Sequence, residues 1–174
     1  MRSRSLIPIL AILAIAVPAA APAAPPPPFQ DALLDRMTGA WVMRGTIEGQ
    51  PTTHDIVVEW VLGHLYLQIR ETSREKDAAG RPAYEAIVFV GWDAKANDYA
   101  CEWLDNTGPG GLNGQAIAHG RRSGDAIPFL FNIDGSLFHT TFALDAKDGS
   151  WQWIMDGEAN GKLEPFARLR LTRK

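Results

Sequence analysis

Three polar side chains that interrupt apolar segments are candidates for acid–base chemistry. They are Glu59, Glu102 and His119. A carboxylate and a histidine that converge on one substrate can take a proton from one atom and return it to another. This is the chemistry of isomerases, cyclases and lyases. One hypothesis is therefore an enzyme that uses Glu59 or Glu102 as the general base beside His119.

Metal and cofactor chemistry lacks the spacing it requires. Zinc and iron sites built from histidines use His-x-His or His-x-x-x-His pairs, or a neighbouring cysteine. The single cysteine, Cys101, lies in the alternating run Tyr99, Cys101, Trp103, which predicts a buried core residue. The sequence therefore predicts no metal ion and no cofactor. The histidines lie on four different predicted strands: His54, His64, His119 and His139.

Aromatic side chains recur on the apolar faces of the later segments. Residues two apart in a strand point to the same face of a sheet, so these rings are predicted to line one apolar interior. Such an interior would bind a small apolar or amphipathic molecule, with Arg70 or His119 orienting a polar head group. The predicted wall residues are Trp92, Tyr99, Trp103, Phe142 and Trp153.

The same rings have a second interpretation. The chain contains six Trp, and large aromatic side chains also fill the interiors of proteins that hold no ligand. A filled interior would make this a structural protein of the cell envelope rather than a binding protein. The residue pattern leaves both interpretations open, and it leaves the oligomeric state open as well.

The segments that must position these side chains show a period of two, with turn residues at short intervals. This pattern is typical of antiparallel strands joined by hairpins. Because about ten consecutive strands would have exposed edges unless they closed, we predict an all-β, up-and-down antiparallel β-barrel. Leu33, Leu34 and Met37 recur at helical spacing and predict one short N-terminal helix. The predicted strands cover residues 40–48, 53–61, 64–73, 83–92, 98–105, 111–121, 126–133, 137–145, 151–157 and 163–172.

The N-terminal region is typical of an exported protein. Arg2 and Arg4 precede an apolar run at 6–17, and the Ala-Pro-Ala sequence at 21–23 fits a cleavage site of small residues. The apolar run is shorter than the roughly 20 residues of a membrane-spanning helix. We therefore predict a periplasmic or secreted protein without a stable membrane anchor after cleavage. The predicted segments are a signal peptide at 1–23, a proline-rich linker at 24–30 and a barrel domain at 31–174.

Charge argues against one class of partner. The chain has 174 residues, with 17 Lys and Arg against 20 Asp and Glu and a formal net charge of -3 at pH 7. Nucleic-acid binding draws on clustered basic side chains that displace counterions from phosphates. The charges here form no long run of either sign. We therefore expect no nucleic-acid partner.

Three short patches carry a family resemblance. The first is the short helix that runs into Gly39-Ala40-Trp41, and the second is the segment 60–67, which contains a leucine-glycine hairpin. The third patch consists of Gly91-Trp92-Asp93, Tyr99, Trp103, Asp105 and Gly108. Together these patches resemble a bacterial family, the domain of unknown function 1579. The family usually has a second glycine where this chain has His64.

The resemblance implies a lipocalin-like, calycin-type barrel from about residue 32 to the C-terminus. In lipocalin-like barrels, an arginine on the last strand packs over the indole of the Gly-x-Trp motif. The resemblance therefore implies structural roles for Gly39 and Trp41. It implies the role of the packing arginine for Arg168 or Arg170. The family has no assigned activity, so the resemblance implies no reaction.

Overall fold

Short antiparallel strands make up nearly all of the folded chain. The computed structural model describes residues 27–107 and 117–174. Within them, no helix is long and apolar enough to cross a membrane. The predicted signal peptide and the glycine-rich segment at 108–114 lie outside the described residues. The elements are α1 (Ala32–Asp35), β1 (Gly39–Ile47), β2 (Gln50–Val61), β3 (Tyr66–Ser73), β4 (Glu85–Asp93), β5 (Asp98–Asp105), β6 (Ile117–Gly120), β7 (Ala126–Ile133), β8 (Ser136–Leu144), β9 (Trp151–Ala159) and β10 (Lys162–Arg173).

The ten strands form a closed barrel. Each strand pairs with its neighbours in sequence, and β10 returns to pair with β1, so the predicted up-and-down topology is confirmed. The closing register places Trp41 opposite Arg173 and Ile47 opposite Ala167. Because both outer strands find a partner in each other, the sheet has no unpaired edge.

Alternate side chains of each strand point into the barrel and form the core. On β9, Trp151, Trp153 and Met155 are buried on one face, as their spacing predicts. Cys101 on β5 is also fully buried, which confirms the prediction of a core residue, and burial raises the pKa of its thiol. A core of this kind needs no cross-link, since apolar burial is the main stabilising term in a domain of this size.

Helix α1 covers one end of the barrel, which we call the helix end. Asp31 caps the helix by accepting hydrogen bonds from the backbone N–H groups of Leu33 and Leu34. The apolar side chains of Leu33, Leu34 and Met37 are buried and belong to the barrel core. Phe29 packs at the same end, where its carbonyl oxygen lies 2.8 Å from His64 Nδ1. The opposite end, with the β1–β2, β3–β4, β7–β8 and β9–β10 turns, is called the distal end.

The arginine that covers the Gly-x-Trp indole is Arg173, which corrects the expectation of Arg168 or Arg170. Its guanidinium carbon lies 3.9 Å from the ring centroid of Trp41. The strand register explains the difference, because Trp41 pairs with Arg173. Arg168 instead donates a hydrogen bond to Asp156, and Arg170 pairs with Asp148.

Gly39 has a backbone conformation and a close neighbour that both require glycine. Its φ is +119°, and a Cβ atom there would lie 2.3 Å from Arg173 Nη1. We expect Gly39→Ala to lower the free energy of unfolding by about 1–3 kcal/mol, because it adds backbone strain and displaces Arg173 from Trp41. Urea unfolding would measure the change. The control is Gly63→Ala, where φ is also positive but no atom lies within 4 Å of the added Cβ. Equal losses in the two variants would contradict a role for the Arg173 contact.

Candidate functional site

Two of the predicted site residues, Glu59 and Arg70, lie on the outer face of the barrel. Arg70 Nη2 is 3.2 Å from Glu59 Oε1, and both side chains are about half exposed. Their neighbours Val58 and Ile69 are the residues that point inward. Neither Glu59 nor Arg70 therefore reaches the barrel interior.

Glu102 and His119 also lie outside the barrel. Glu102 stands between Cys101 and Trp103, whose side chains face the core, so its own side chain faces outward. The Nδ1 atom of His119 lies 2.9 Å from Asp98 Oδ1 on the outer surface. The structure thus gives His119 a carboxylate partner, but the partner is Asp98 and the pair does not face the interior.

The five predicted aromatic wall residues separate into two groups. Trp103, Phe142 and Trp153 meet inside the barrel, with ring centroids 4.9 Å apart for Phe142 and Trp153 and 6.1 Å apart for Trp103 and Trp153. Phe142 and Trp153 are fully buried. Rings in such contact leave little room between them, so this level of the interior is packed.

The second aromatic group lies at the helix end. Trp92 contacts Tyr99 in a T-shaped arrangement, and both rings contact Phe29. The Tyr99 hydroxyl donates a hydrogen bond to Asp31, and burial raises the pKa of Tyr99 to about 12. A surface cleft of about 270 Å³ is present here. Its lining residues are Trp92, Asn97, Asp98, Tyr99, Arg121 and Arg122.

At the distal end, the apolar side chains nearest the barrel mouth are only partly buried. Ile47, Phe138 and Trp103 pack against the core without being enclosed by it. Ile133, which follows buried Phe131 on the inward face of β7, is 46% exposed. A depression of about 330 Å³ is present at this end. Its lining residues are Ile133, Ser136, Leu137, Phe138, Gly157, Glu158, Ala159 and Glu164.

A buried polar pair that the sequence interpretation missed also lies toward the distal end. His54 on β2 and Glu71 on β3 are 2% and 3% exposed. The Nδ1 atom of His54 forms a short hydrogen bond with Glu71 Oε1. The burial of Glu71 could have been predicted from the strand alternation, because Glu71 lies on the same inward face as Leu67 and Ile69. The pairing itself depends on the strand register, which the sequence does not give.

Hydrogen bonds connect this pair to the protein surface. The Thr52 hydroxyl lies 2.7 Å from His54 Nε2 and 3.2 Å from Glu75 Oε2, to which it donates a hydrogen bond. Glu75 is about half exposed, so this chain of contacts runs from the buried pair to the surface.

The second oxygen of Glu71 lacks a partner. Buried side-chain polar atoms without a hydrogen-bond partner among the described residues are Glu71 Oε2, Ser150 Oγ, Trp151 Nε1 and Trp153 Nε1, and Oε2 of Glu71 is the acceptor of a carboxyl group. Burial raises the pKa of Glu71, and the hydrogen bond from His54 opposes this shift in part. Buried polar atoms nearly always have a partner, so an unpaired one marks a place where a donor would be stabilising.

Aromatic contacts link the His54–Glu71 pair to the packed rings. The ring of Tyr84 stacks on His54 with a centroid distance of 5.6 Å. The Tyr84 hydroxyl accepts a 2.9 Å hydrogen bond from Trp103 Nε1. Burial also raises the pKa of Tyr84, so it stays a neutral phenol. Since Trp103 contacts Trp153, a continuous path of side chains crosses the barrel from β2 to β9.

The raised pKa of Glu71 gives a pH-dependent prediction. Folded Glu71 holds its proton more tightly than the unfolded residue, whose ordinary pKa is 4.5. Its contribution to stability is therefore complete below about pH 4.5 and is lost as the pH rises through the raised value. Glutamine does not titrate, so the stability of Glu71→Gln relative to wild type should improve with rising pH, by up to about 1.4 kcal/mol per pH unit.

Urea unfolding of wild type and Glu71→Gln between pH 5 and 8 measures this effect. The matched control is Glu59→Gln, which removes a carboxylate from the outer face. A stability difference between wild type and Glu71→Gln that does not change with pH would contradict the prediction.

Comparison with known proteins assigns no family to this chain. No protein-family model matches it, and a search of curated proteins finds no similar sequence. The resemblance to the domain of unknown function 1579 therefore stays a prediction. Among residues 27–107 and 117–174, no group of three His, Cys, Asp or Glu side chains is arranged to hold a metal ion.

Proposed function

We propose that this protein is an exported, lipocalin-like barrel that binds a small amphipathic molecule at its distal end. The observation that carries the proposal is the unpaired Oε2 atom of Glu71, on a side chain that faces into an aromatic interior. Outside a binding site, an unpaired buried oxygen is costly. A ligand head group that donates a hydrogen bond to this oxygen would remove that cost.

The two ends of the barrel differ in a way that favours the distal end as the entrance. At the helix end, Leu33, Leu34 and Met37 are buried and close the core, and the 42% exposed ring of Trp92 lies outside it at the surface cleft. At the distal end, Phe138 and Trp103 remain half-buried and Ile133 is exposed. Apolar side chains left partly exposed around a concave surface are typical of ligand-binding sites.

The proposed site lies at the mouth of the barrel rather than through its whole length. Phe142 and Trp153 are fully enclosed and in contact, so they would form the floor of the site. The apolar part of the ligand would then pack on the partly exposed rings of Trp103 and Phe138. This arrangement would combine the binding hypothesis with that of a filled interior, because the ligand would occupy only the mouth above the packed rings.

Export is proposed on sequence grounds. Two arginines, an apolar run at 6–17 and a small-residue motif at 21–23 have the order of a secretory signal peptide. The mature protein would begin at Ala24 and act in the periplasm or outside the cell. A barrel closed on itself and without disulfides would be stable there, since its lone thiol is buried.

Native mass spectrometry tests both parts of this proposal. The protein would be purified from its own cells in its mature form and measured before and after denaturation. We expect a recurrent mass difference from a bound small molecule, and a denatured mass that corresponds to loss of residues 1–23. A ligand-free protein in repeated preparations would contradict the binding function. A full-length mass would contradict export.

A further inference from the structure

We propose that the ligand of this site carries a protonated amine as its head group. The inference rests on the proposed binding function and specifies its chemistry. It replaces the expectation that Arg70 or His119 orients a polar head group. Both of those side chains lie on the outer face, and the inward polar group at the distal end is a carboxyl group.

The contacts around Glu71 favour a donor over an acceptor. Oε1 is already bonded to His54 Nδ1, whereas Oε2 has no partner among the described residues, so ionised Glu71 offers Oε2 as a free acceptor. An ammonium group can donate to this oxygen and gains a charge-assisted hydrogen bond when Glu71 is ionised. A carboxylate head group would place a second acceptor against Oε2, and the two oxygens would repel each other.

The depression at the distal end adds an observation on charge at this end. It is lined by residues of β7 to β10, and Glu71 on β3 is not one of them. Among the described lining residues, Glu158 and Glu164 are the only ionisable ones. Glu158 Oε2 accepts a 2.9 Å hydrogen bond from His139, while Glu164 is exposed. This part of the distal surface therefore favours a cation.

The charged residues around the distal end are also mostly acidic. Of the basic side chains at the distal end, Arg74 and Arg81 form ion pairs with Asp55 and Asp77. The acidic residues on the distal turns and strand ends outnumber the basic ones. They are Glu48, Glu71, Glu75, Asp77, Glu85, Asp105, Asp134, Glu158 and Glu164, against Arg74, Lys76, Arg81 and Lys162.

The helix end provides a contrast within the same molecule. Its cleft contains Arg121 and Arg122 beside the exposed ring of Trp92, against one carboxylate, that of Asp98. An anionic amphiphile would find complementary charge there and not at the distal end. The helix end is therefore expected to prefer anionic amphiphiles and the distal end cationic ones. A substitution at the distal end should then leave binding at the helix end unchanged.

Three probes with the same tail test the inference: dodecylamine, dodecyltrimethylammonium and dodecanoate. Each would be titrated into the mature protein at pH 7, below its micelle concentration, by isothermal titration calorimetry. We expect dodecylamine to bind at least about tenfold more tightly than dodecanoate, which corresponds to about 1.4 kcal/mol. Dodecyltrimethylammonium has the charge without an N–H donor, and its affinity should lie between the other two.

Variants test whether the preference for an amine arises at the distal end. Glu71→Gln should weaken dodecylamine binding about tenfold and leave dodecanoate binding unchanged. Glu164→Gln lies on the surface, so it tests the charge of the approach without risk to the core. It should weaken both cationic probes about twofold to fivefold. Glu59→Gln on the outer face is the control and should change none of the affinities.

The outcomes separate this inference from the function on which it rests. Equal or tighter binding of dodecanoate at a site sensitive to Glu71 would overturn the amine preference and leave the binding function standing. Dodecyltrimethylammonium binding as tightly as dodecylamine would overturn the hydrogen bond to Glu71. Failure of all three probes to bind would overturn the proposed binding function itself.

Discussion

Replacing Trp153 with alanine should lower the free energy of unfolding by about 3–5 kcal/mol, the usual cost of removing a large buried ring. Trp153 is fully enclosed and contacts Phe142 and Trp103. Among the described residues its indole N–H has no hydrogen-bond partner, so the loss is one of packing and not of a hydrogen bond. Urea or thermal unfolding would measure the change.

Trp92→Ala is the matched control for this prediction. Trp92 is 42% exposed at the helix end and contacts Phe29 and Tyr99 only along part of its ring. Its replacement should cost about 1 kcal/mol, since much less apolar surface returns to water. A cost below about 1 kcal/mol for Trp153→Ala would show that its level of the barrel is not packed. The site would then extend through the interior instead of ending at the mouth.

Replacing His54 with alanine should also cost about 3–5 kcal/mol, because it leaves a buried carboxyl group without its partner. His54 is the only described hydrogen-bond partner of the Glu71 carboxyl group, and it also holds Thr52 and stacks on Tyr84. The loss should be larger at pH 8 than at pH 5, since the unpaired Glu71 must keep its proton to remain buried. Unfolding curves at the two pH values would measure both effects.

Two further variants test the cause of this loss. His139→Ala removes a histidine that pairs with Glu158 near the surface, and it should cost less than about 1 kcal/mol. In the Glu71→Gln background, His54→Ala should lose its pH dependence, because no buried carboxyl group remains at position 71. A pH dependence that persists in the double variant would show that another group is responsible.

Much of the fold follows from the sequence because it is encoded locally. The run Trp151, Trp153, Met155 has its apolar residues at every second position, and turn residues such as Asp134-Gly135 separate one strand from the next. These features depend only on neighbouring residues, so they predict ten strands and their order. Closure follows from the same pattern, since a ten-stranded meander exposes two edges that can pair with each other.

The site depends on relations that no local pattern contains. Glu71 lies in a predicted strand, but its partner His54 is distant in sequence and is placed beside it by the register of β2 and β3. The arginine that packs on Trp41 likewise could not be identified without the strand register. Of the three arginines on β10, the register places Arg173 opposite Trp41 and the other two opposite Arg44 and Thr46. Single polar residues in apolar strands are thus visible in a sequence, while their partners are not.

Closure of the barrel between β1 and β10 joins the first strand of the chain to the last. The pairs run from Trp41 with Arg173 to Ile47 with Ala167, so β1 lacks its second neighbour until the final residues are available. A chain synthesised from its N-terminus therefore cannot complete the barrel before β10 has emerged from the ribosome. Pairing of such distant segments is slow, and unpaired strands are prone to aggregation meanwhile. The interval between synthesis and closure is thus the period when this protein most needs protection by a chaperone.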